Sequence, residues 1–179
     1  MEIRLAAVAD AGTLAALVAA CLAESYPGHP GISAPVLVRD VLAPPPRPAA
    51  QPRVAIAFDG RREPLGYLAW DATYDLHWAA AGAHVSDLYV VPAARGLGVA
   101  LALVAYGCAA VRAAGGAYLR GEAYDRPSTR RFYGRVAVLQ PSGEVALGGR
   151  AFRHLASLAG RPPRDILAGL PPVAWNHEP

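Results

Sequence analysis

Arg95-Gly96-Leu97-Gly98-Val99-Ala100 follows Leu88-Tyr89-Val90-Val91-Pro92 and runs into Leu101-Ala102-Leu103-Val104. The β-branched and aromatic run reads as a strand. Pro92 ends it, because proline brings no N–H to a ladder. Gly96 and Gly98 permit a sharp turn and set no Cβ against a ligand. The apolar segment beyond reads as a helix whose first N–H groups lack intrahelical acceptors. Free N–H groups and the positive end of a helix dipole together favour an anion, so this stretch argues for a bound phosphate. A nucleoside-triphosphate loop would end in Gly-Lys-Ser/Thr, but Val99 and Ala100 follow Gly98. A dinucleotide fingerprint would place its third glycine where Leu101 stands.

The elements that must position this loop can be read around it. Residues 3–5 form a short first strand. Asp10 is placed to cap a helix, and Leu14, Leu17, Val18, Cys21 and Leu22 follow at helical spacing. Residues 26–31 are a loop, 35–42 a second short helix and 44–48 a stiff proline-rich connector. Residues 53–58 and 65–70, joined through Asp59-Gly60, form an antiparallel hairpin, which counts against a doubly wound dinucleotide fold. Residues 71–82 read as a loop holding Tyr74, Asp75, His77 and Trp78. After the loop-bearing strand and helix come a strand at 117–122, a helix at 126–135 and a final hairpin from 136–140 and 144–154. The proline-rich end beyond Arg161 reads as extended, with Ile166, Leu167, Leu170 and Trp175 packed on something. The fold class is α/β (α+β). One domain at 1–158 has a mixed, mostly antiparallel sheet flanked by helices, and a tail at 159–179 covers that domain or a partner subunit.

Bulk properties narrow the partners. All 17 basic residues are Arg, and the net charge is only +3. That charge is too small and scattered for nucleic acid, though it suits an anionic cofactor. Cys21 and Cys108 fall in predicted helices without neighbouring ligands, so two reduced thiols in a cytoplasmic protein are expected and no metal site. The apolar run at 99–111 is short and alanine-rich, too weak for a membrane span.

Arg-x-x-Gly-x-Ala behind Leu-Tyr-Val-Val-Pro resembles the pyrophosphate loop of the GNAT superfamily of N-acetyltransferases, and the order of elements over 1–158 is similar to theirs. The resemblance implies acetyl-CoA as cofactor. Arg95, Gly96, Leu97, Gly98, Val99 and Ala100 would hold its pyrophosphate. Backbone groups around Leu88, Val90 and Val91 would take the pantetheine arm and thioester oxygen. Phe132-Tyr133 resembles the family's Phe-Tyr pair, which makes Tyr133 the general acid for the departing thiolate. Arg126 stands where the family often has Asn, and Ala137 where it has Gly. Arg126, Arg130 and Arg131 are alternatives as forks for cofactor phosphates or as a solvated helix face.

The segment 66–98 is similar in outline to the spermidine/spermine (diamine) and thialysine acetyltransferases, except that Ser86-Asp87 replaces Glu-Asp. Asp87 could steer a cationic amine or hold the water that takes its proton, and His84 could do the same. In a regular strand Ser86 and Asp87 point to opposite faces, with His84 on the Ser86 side. Glu24, Tyr26, Asp75 and Trp78 are the candidate acceptor residues, carboxylates and rings suited to an alkyl cation. The expected function is acetyl transfer to a small-molecule primary amine by a homodimer. The alternatives are a degenerate acyl-CoA-binding or partner-binding module, and an enzyme acting on protein N-termini or antibiotic amines.

Overall fold

The structure is a computed structural model and describes residues 1–43, 51–122, 127–134, 137–139 and 144–169. Strand β1 (Glu2–Leu5) leads through a 3-10 turn at Val8–Asp10 into α1 (Ala11–Ser25). Next come α2 (Ala34–Leu37), which continues as a single π turn over Val38–Leu42, and β2 (Arg53–Phe58). Strands β3 (Pro64–Asp75) and β4 (Ala80–Val90) are long. Helix α3 (Val99–Ala113), β5 (Leu119–Glu122) and α4 (Pro127–Tyr133) follow. The chain then forms β6 (Val138–Leu139), β7 (Glu144–Leu147), α5 (Gly149–Ser157) and α6 (Pro163–Gly169).

The strands make one sheet in the order β1-β2-β3-β4-β5-β7-β6. Every pairing is antiparallel except β4 with β5. Strand alternation gives the sheet two faces, and each carries its own core. Ala55, Ala57, Leu68, Trp70, Ala83 and Leu119 pack under α3, α5 and α6. Val54, Ile56, Phe58, Tyr67, Ala69 and Tyr89 pack under α1 and α2. Helix α3 is apolar nearly all round because both the sheet and α5 cover it, as expected of a buried helix.

Four local readings of the sequence change. Residues 71–82 are not a loop: β3 and β4 extend through them to the pairs Thr73↔Gly82 and Asp75↔Ala80. Asp75 makes the tight turn, and its Oδ1 accepts the N–H groups of His77 and Trp78 at 2.8 and 3.0 Å. Residues 149–157 are helical, because Ala151, Phe152 and Leu155 fall on one buried helical face. Residues 163–169 are helical rather than extended, with Ile166 fully buried under α3 and α5. Finally, among the described residues a helical stretch at 8–25 is longer than the apolar run at 99–111; by length and composition it could cross a membrane, and here it lays Leu14 and Leu17 on the sheet.

Asp10 also differs from its expected cap role. Its carboxylate takes two hydrogen bonds from Arg4, at 2.6 and 2.8 Å, and the Ala7 N–H at 2.8 Å. It therefore ties β1 to the turn before α1 and leaves the first N–H groups of α1 uncapped by its side chain.

Candidate active site

The sheet opens where the site should lie. Strands β4 and β5 pair only at Ala83↔Leu119, His84↔Arg120 and Val85↔Gly121. Beyond Val85 no further pair joins them among the described residues. In the same place β4 carries a bulge: Ala69 and Trp70 are adjacent on β3, yet they oppose Asp87 and Val85, leaving Ser86 as the extra residue. A bulge bends its strand and ends regular pairing.

The bulge corrects the expected faces. Trp70 and Val85 pack on the α3 side, whereas Ala69 and its partner Asp87 lie on the α1 side. Counting back, His84 opposite Asp71 also falls on the α1 side. Asp87 and His84 therefore share a face, contrary to the regular-strand reading.

Past the bulge, no strand pairs with the outer edge of β4 among the described residues. The Val91 N–H reaches the Leu65 carbonyl on β3 at 3.0 Å. By strand alternation the N–H groups of Leu88 and Val90 then point away from β3, into the gap left by β5. They can bind an extended ligand arm. Val91 cannot donate to one, because its N–H is already used. The Val90 carbonyl accepts Arg95 Nε at 3.0 Å.

At the end of this edge stands the loop. A 3-10 turn at Pro92–Ala94 uses the N–H groups of Arg95 and Leu97 internally. Gly96, Gly98, Val99, Ala100 and Leu101 keep backbone N–H groups with no protein acceptor among the described residues. No side chain caps α3. This clustered set of donors at a helix N-terminus fits a pyrophosphate. Gly96 and Gly98 both have positive φ, +79° and +81°, so both turns favour glycine. Their missing Cβ atoms serve different ends. Gly96 faces open space, whereas a Cβ on Gly98 would come within 2.3 Å of Pro163 Cβ on α6. The room beside Gly98 is therefore taken by the chain's own C-terminal helix, not by a ligand.

Arg95, expected at a phosphate, instead turns to α1. Its Nη2 donates to both oxygens of Glu24 at 2.8 Å, and its guanidinium lies over the Tyr89 ring. Glu24 also accepts the Tyr89 hydroxyl at 3.0 Å. Glu24, expected on the acceptor side, is thus tied to the base of the loop. Arg131 is exposed on α4, and Arg126 lies outside the described residues.

On the α1 face, Asp87 accepts the hydroxyl of fully buried Tyr67 and contacts Cys21 Sγ at 3.8 Å. Burial, first, and the neighbouring Asp87 hold the Tyr67 hydroxyl protonated far above the usual phenol range. Burial likewise raises the Cys21 thiol, so both groups act as donors. Sequence reasoning missed Tyr67, Tyr89 and Cys21. Tyr67 and Tyr89 look like ordinary strand aromatics, and only their register brings them beside the carboxylates.

Asp75 and Trp78, expected at the acceptor, are both engaged by neighbouring protein groups. Besides the two turn N–H groups, Asp75 accepts a hydrogen bond from Arg120, and its side chain is only 9% exposed. The Trp78 and His77 N–H groups of the local turn and Arg120 pull its carboxyl below the usual carboxylate range, the Trp78 N–H most of all. Trp78 packs edge-on against Tyr118, centroids 5.3 Å apart. Tyr26 is exposed at the end of α1.

Tyr133 closes α4, half-buried against the α3-side core with Phe132 edge-on at 4.7 Å. Its hydroxyl has no hydrogen-bond partner among the described residues. Burial raises it above the ordinary phenol value, so it keeps its proton at neutral pH.

Comparison with known proteins agrees with this geometry. The profile of the acetyltransferase (GNAT) family matches residues 24–137, more than half of the chain. No curated protein sequence matches. Among solved structures, the ribosomal-protein-alanine N-acetyltransferase of Brucella melitensis biovar Abortus 2308 is 19% identical, with TM-score 0.61 over 79% of this chain and 94% of that one. An Arthrobacter sp. FB24 protein assigned to the acetyltransferases is 28% identical, with TM-score 0.60 over 80% and 89%. An integron cassette protein of V. cholerae is 19% identical, with TM-score 0.63 over 87% and 96%. The matched span runs from the Glu24 end of α1, through the bulged strand and the loop at 96–101, to the turn after Tyr133, and the chain that carries them is a member of the GNAT acetyltransferase family.

Proposed function

We propose that this acetyltransferase moves the acetyl group of acetyl-CoA onto the primary amine of a small, cationic molecule such as a diamine, polyamine or amino-acid analogue. The observation that carries the reading is the alignment of two unused donor sets. The outer edge of β4 at Leu88 and Val90 leads directly to the free N–H groups of the loop at 96–101. The first set suits the amides of a pantetheine arm and the second a pyrophosphate, as in acetyl-CoA.

The reaction needs a neutral amine, a polarised thioester carbonyl and a proton for the leaving thiolate. Strand N–H groups at the β4 edge supply hydrogen bonds to the carbonyl oxygen as it gains charge. Asp87, fixed by Tyr67 and Cys21, draws the ammonium form of the acceptor to the α1 side of the gap. His84 on the same face has no hydrogen-bond partner among the described residues and takes the amine proton, directly or through water. Nitrogen attacks the carbonyl carbon, the carbon–sulfur bond breaks, Tyr133 protonates the sulfur, and the second proton lost by nitrogen restores the Tyr133 phenol.

The test is amine-dependent release of free thiol from acetyl-CoA, run with diamines, polyamines, lysine analogues, neutral amines, an aminoglycoside and a peptide N-terminus. Release with the cationic small amines supports the proposal. Release only with the peptide or an aminoglycoside would retain the family and discard the acceptor class. Tight acetyl-CoA binding with no release on any amine would mark a binding module.

A further inference from the structure

Glu24 lies near the C-terminal end of α1 and is gripped from two sides. Arg95 Nη2 donates to both its oxygens at 2.8 Å, and the Tyr89 hydroxyl donates to Oε1 at 3.0 Å. Arg95 is itself fixed to β4, through Nε on the Val90 carbonyl at 3.0 Å and through the Tyr89 ring 5.7 Å beneath its guanidinium. One helical turn before Glu24, on the same face of α1, Cys21 touches Asp87 at 3.8 Å. Asp87 and Tyr89 stand two residues apart on one face of β4. Helix α1 therefore meets the strand at two points one turn apart. One is the carboxylate beside the gap. The other is the residue from which the loop departs.

We propose that Glu24 is a positioning residue that couples the setting of the anion loop to the setting of α1 over Asp87. The inference rests on the reading that the loop at 96–101 takes acetyl-CoA. Residue 95 immediately precedes Gly96, so a phosphate that orders the loop backbone also orders the base of the Arg95 side chain. With Nε held by the strand and Nη2 by Glu24, Arg95 passes that order to α1. The pair is roughly half exposed, with side chains 48% and 40% accessible. Its coupling therefore belongs at the weak end of inter-site couplings, about fivefold. Linkage makes the effect reciprocal: whatever settles α1 also favours the loop geometry that binds the cofactor.

Hydrogen exchange on the full chain, with acetyl-CoA as the only added ligand, reads this coupling. In the wild type, acetyl-CoA should slow exchange at 96–101 and also at 20–26. In Glu24→Gln, protection at 96–101 should persist while the added protection at 20–26 falls by about fivefold. Arg95→Met, which keeps an apolar stem without the charge, should do the same and serves as the second variant. Unchanged protection at 20–26 in both variants would overturn the coupling. So would wild-type protection confined to the loop. Absence of protection at 96–101 in the wild type would instead overturn the cofactor reading, and the coupling with it.

Discussion

Asp87→Asn keeps the shape of the side chain and removes its charge. Tyr67 and Cys21 both act as donors, so an amide oxygen can replace only one of the two accepting oxygens they now use. The Michaelis constant for a diamine should rise about tenfold, as for loss of one charge-assisted hydrogen bond, and that for a neutral amine far less. Steady-state kinetics on the two amines checks this; equal rises would remove Asp87 from acceptor recognition. Asp75→Asn should act elsewhere. Its carboxylate closes the β3–β4 turn and pairs with Arg120, so the variant should loosen that turn, seen as faster amide exchange at 76–79, and leave acceptor kinetics alone. The resemblance over 66–98 proposed Asp87, and the resemblance at Phe132-Tyr133 proposed Tyr133. The role of Asp75 was not legible, because Arg120 lies 45 residues away and joins it only through the sheet. The face of His84 was not legible either, since one extra residue at Ser86 reverses the alternation and nothing in the residue types marks the bulge.

At the scale of elements, the link between β1 and α1 sets an acid limit on stability. Hydrogen bonding to Arg4, first, holds the Asp10 carboxyl below the usual carboxylate range. A group lowered in the folded state stabilises fully above its unfolded value and loses that contribution as pH falls through the folded one. Asp10→Ala should therefore cost about 1–3 kcal/mol at neutral pH, and the difference from wild type should shrink below about pH 4. Urea midpoints at several pH values measure it. The loop–helix junction gives another expectation. Gly98→Ala adds a Cβ at φ +81° and against Pro163, so it should lower stability by about 1–3 kcal/mol and loosen α6. An unchanged urea midpoint would contradict that packing. The hairpin at 53–70 and the loop–helix corner were legible from local signals, because β-branched runs and glycine turns act locally. Helix α5 was not: the alternation of Glu144–Leu147 masks the helical spacing of Ala151, Phe152 and Leu155 just after it.

For the whole molecule, α6 is the piece whose role the sequence left open. Its prolines suggested an extended tail, but Pro163 sits at a helix start, where proline is tolerated. Ile166 then drops into the core shared by α3 and α5, and His154 Nε2 meets the Gly169 carbonyl at 2.6 Å. This part of the C-terminal segment covers its own chain. Ile166→Ala should cost about 2–5 kcal/mol, the range for truncating a buried aliphatic side chain, and the urea midpoint reads it directly. Because Pro163 also backs Gly98, the same variant should weaken acetyl-CoA binding modestly, which calorimetry can detect. The order of strands and helices was readable from β1 through β7, whereas α5 and α6 were read as a strand and an extended tail. The gap between β4 and β5 was not readable, since it depends on where a parallel pairing stops after Gly121. The account as a whole stands on acetyl transfer at that gap, with Tyr133 as the proton donor, and one comparison tests it most directly: the single-turnover rate of acetyl transfer from bound acetyl-CoA in wild type and Tyr133→Phe. The account predicts a rate roughly 10²- to 10⁴-fold lower in the variant, with acetyl-CoA affinity unchanged. A variant rate within about threefold of wild type would contradict it, because so small a change leaves no role for a general acid.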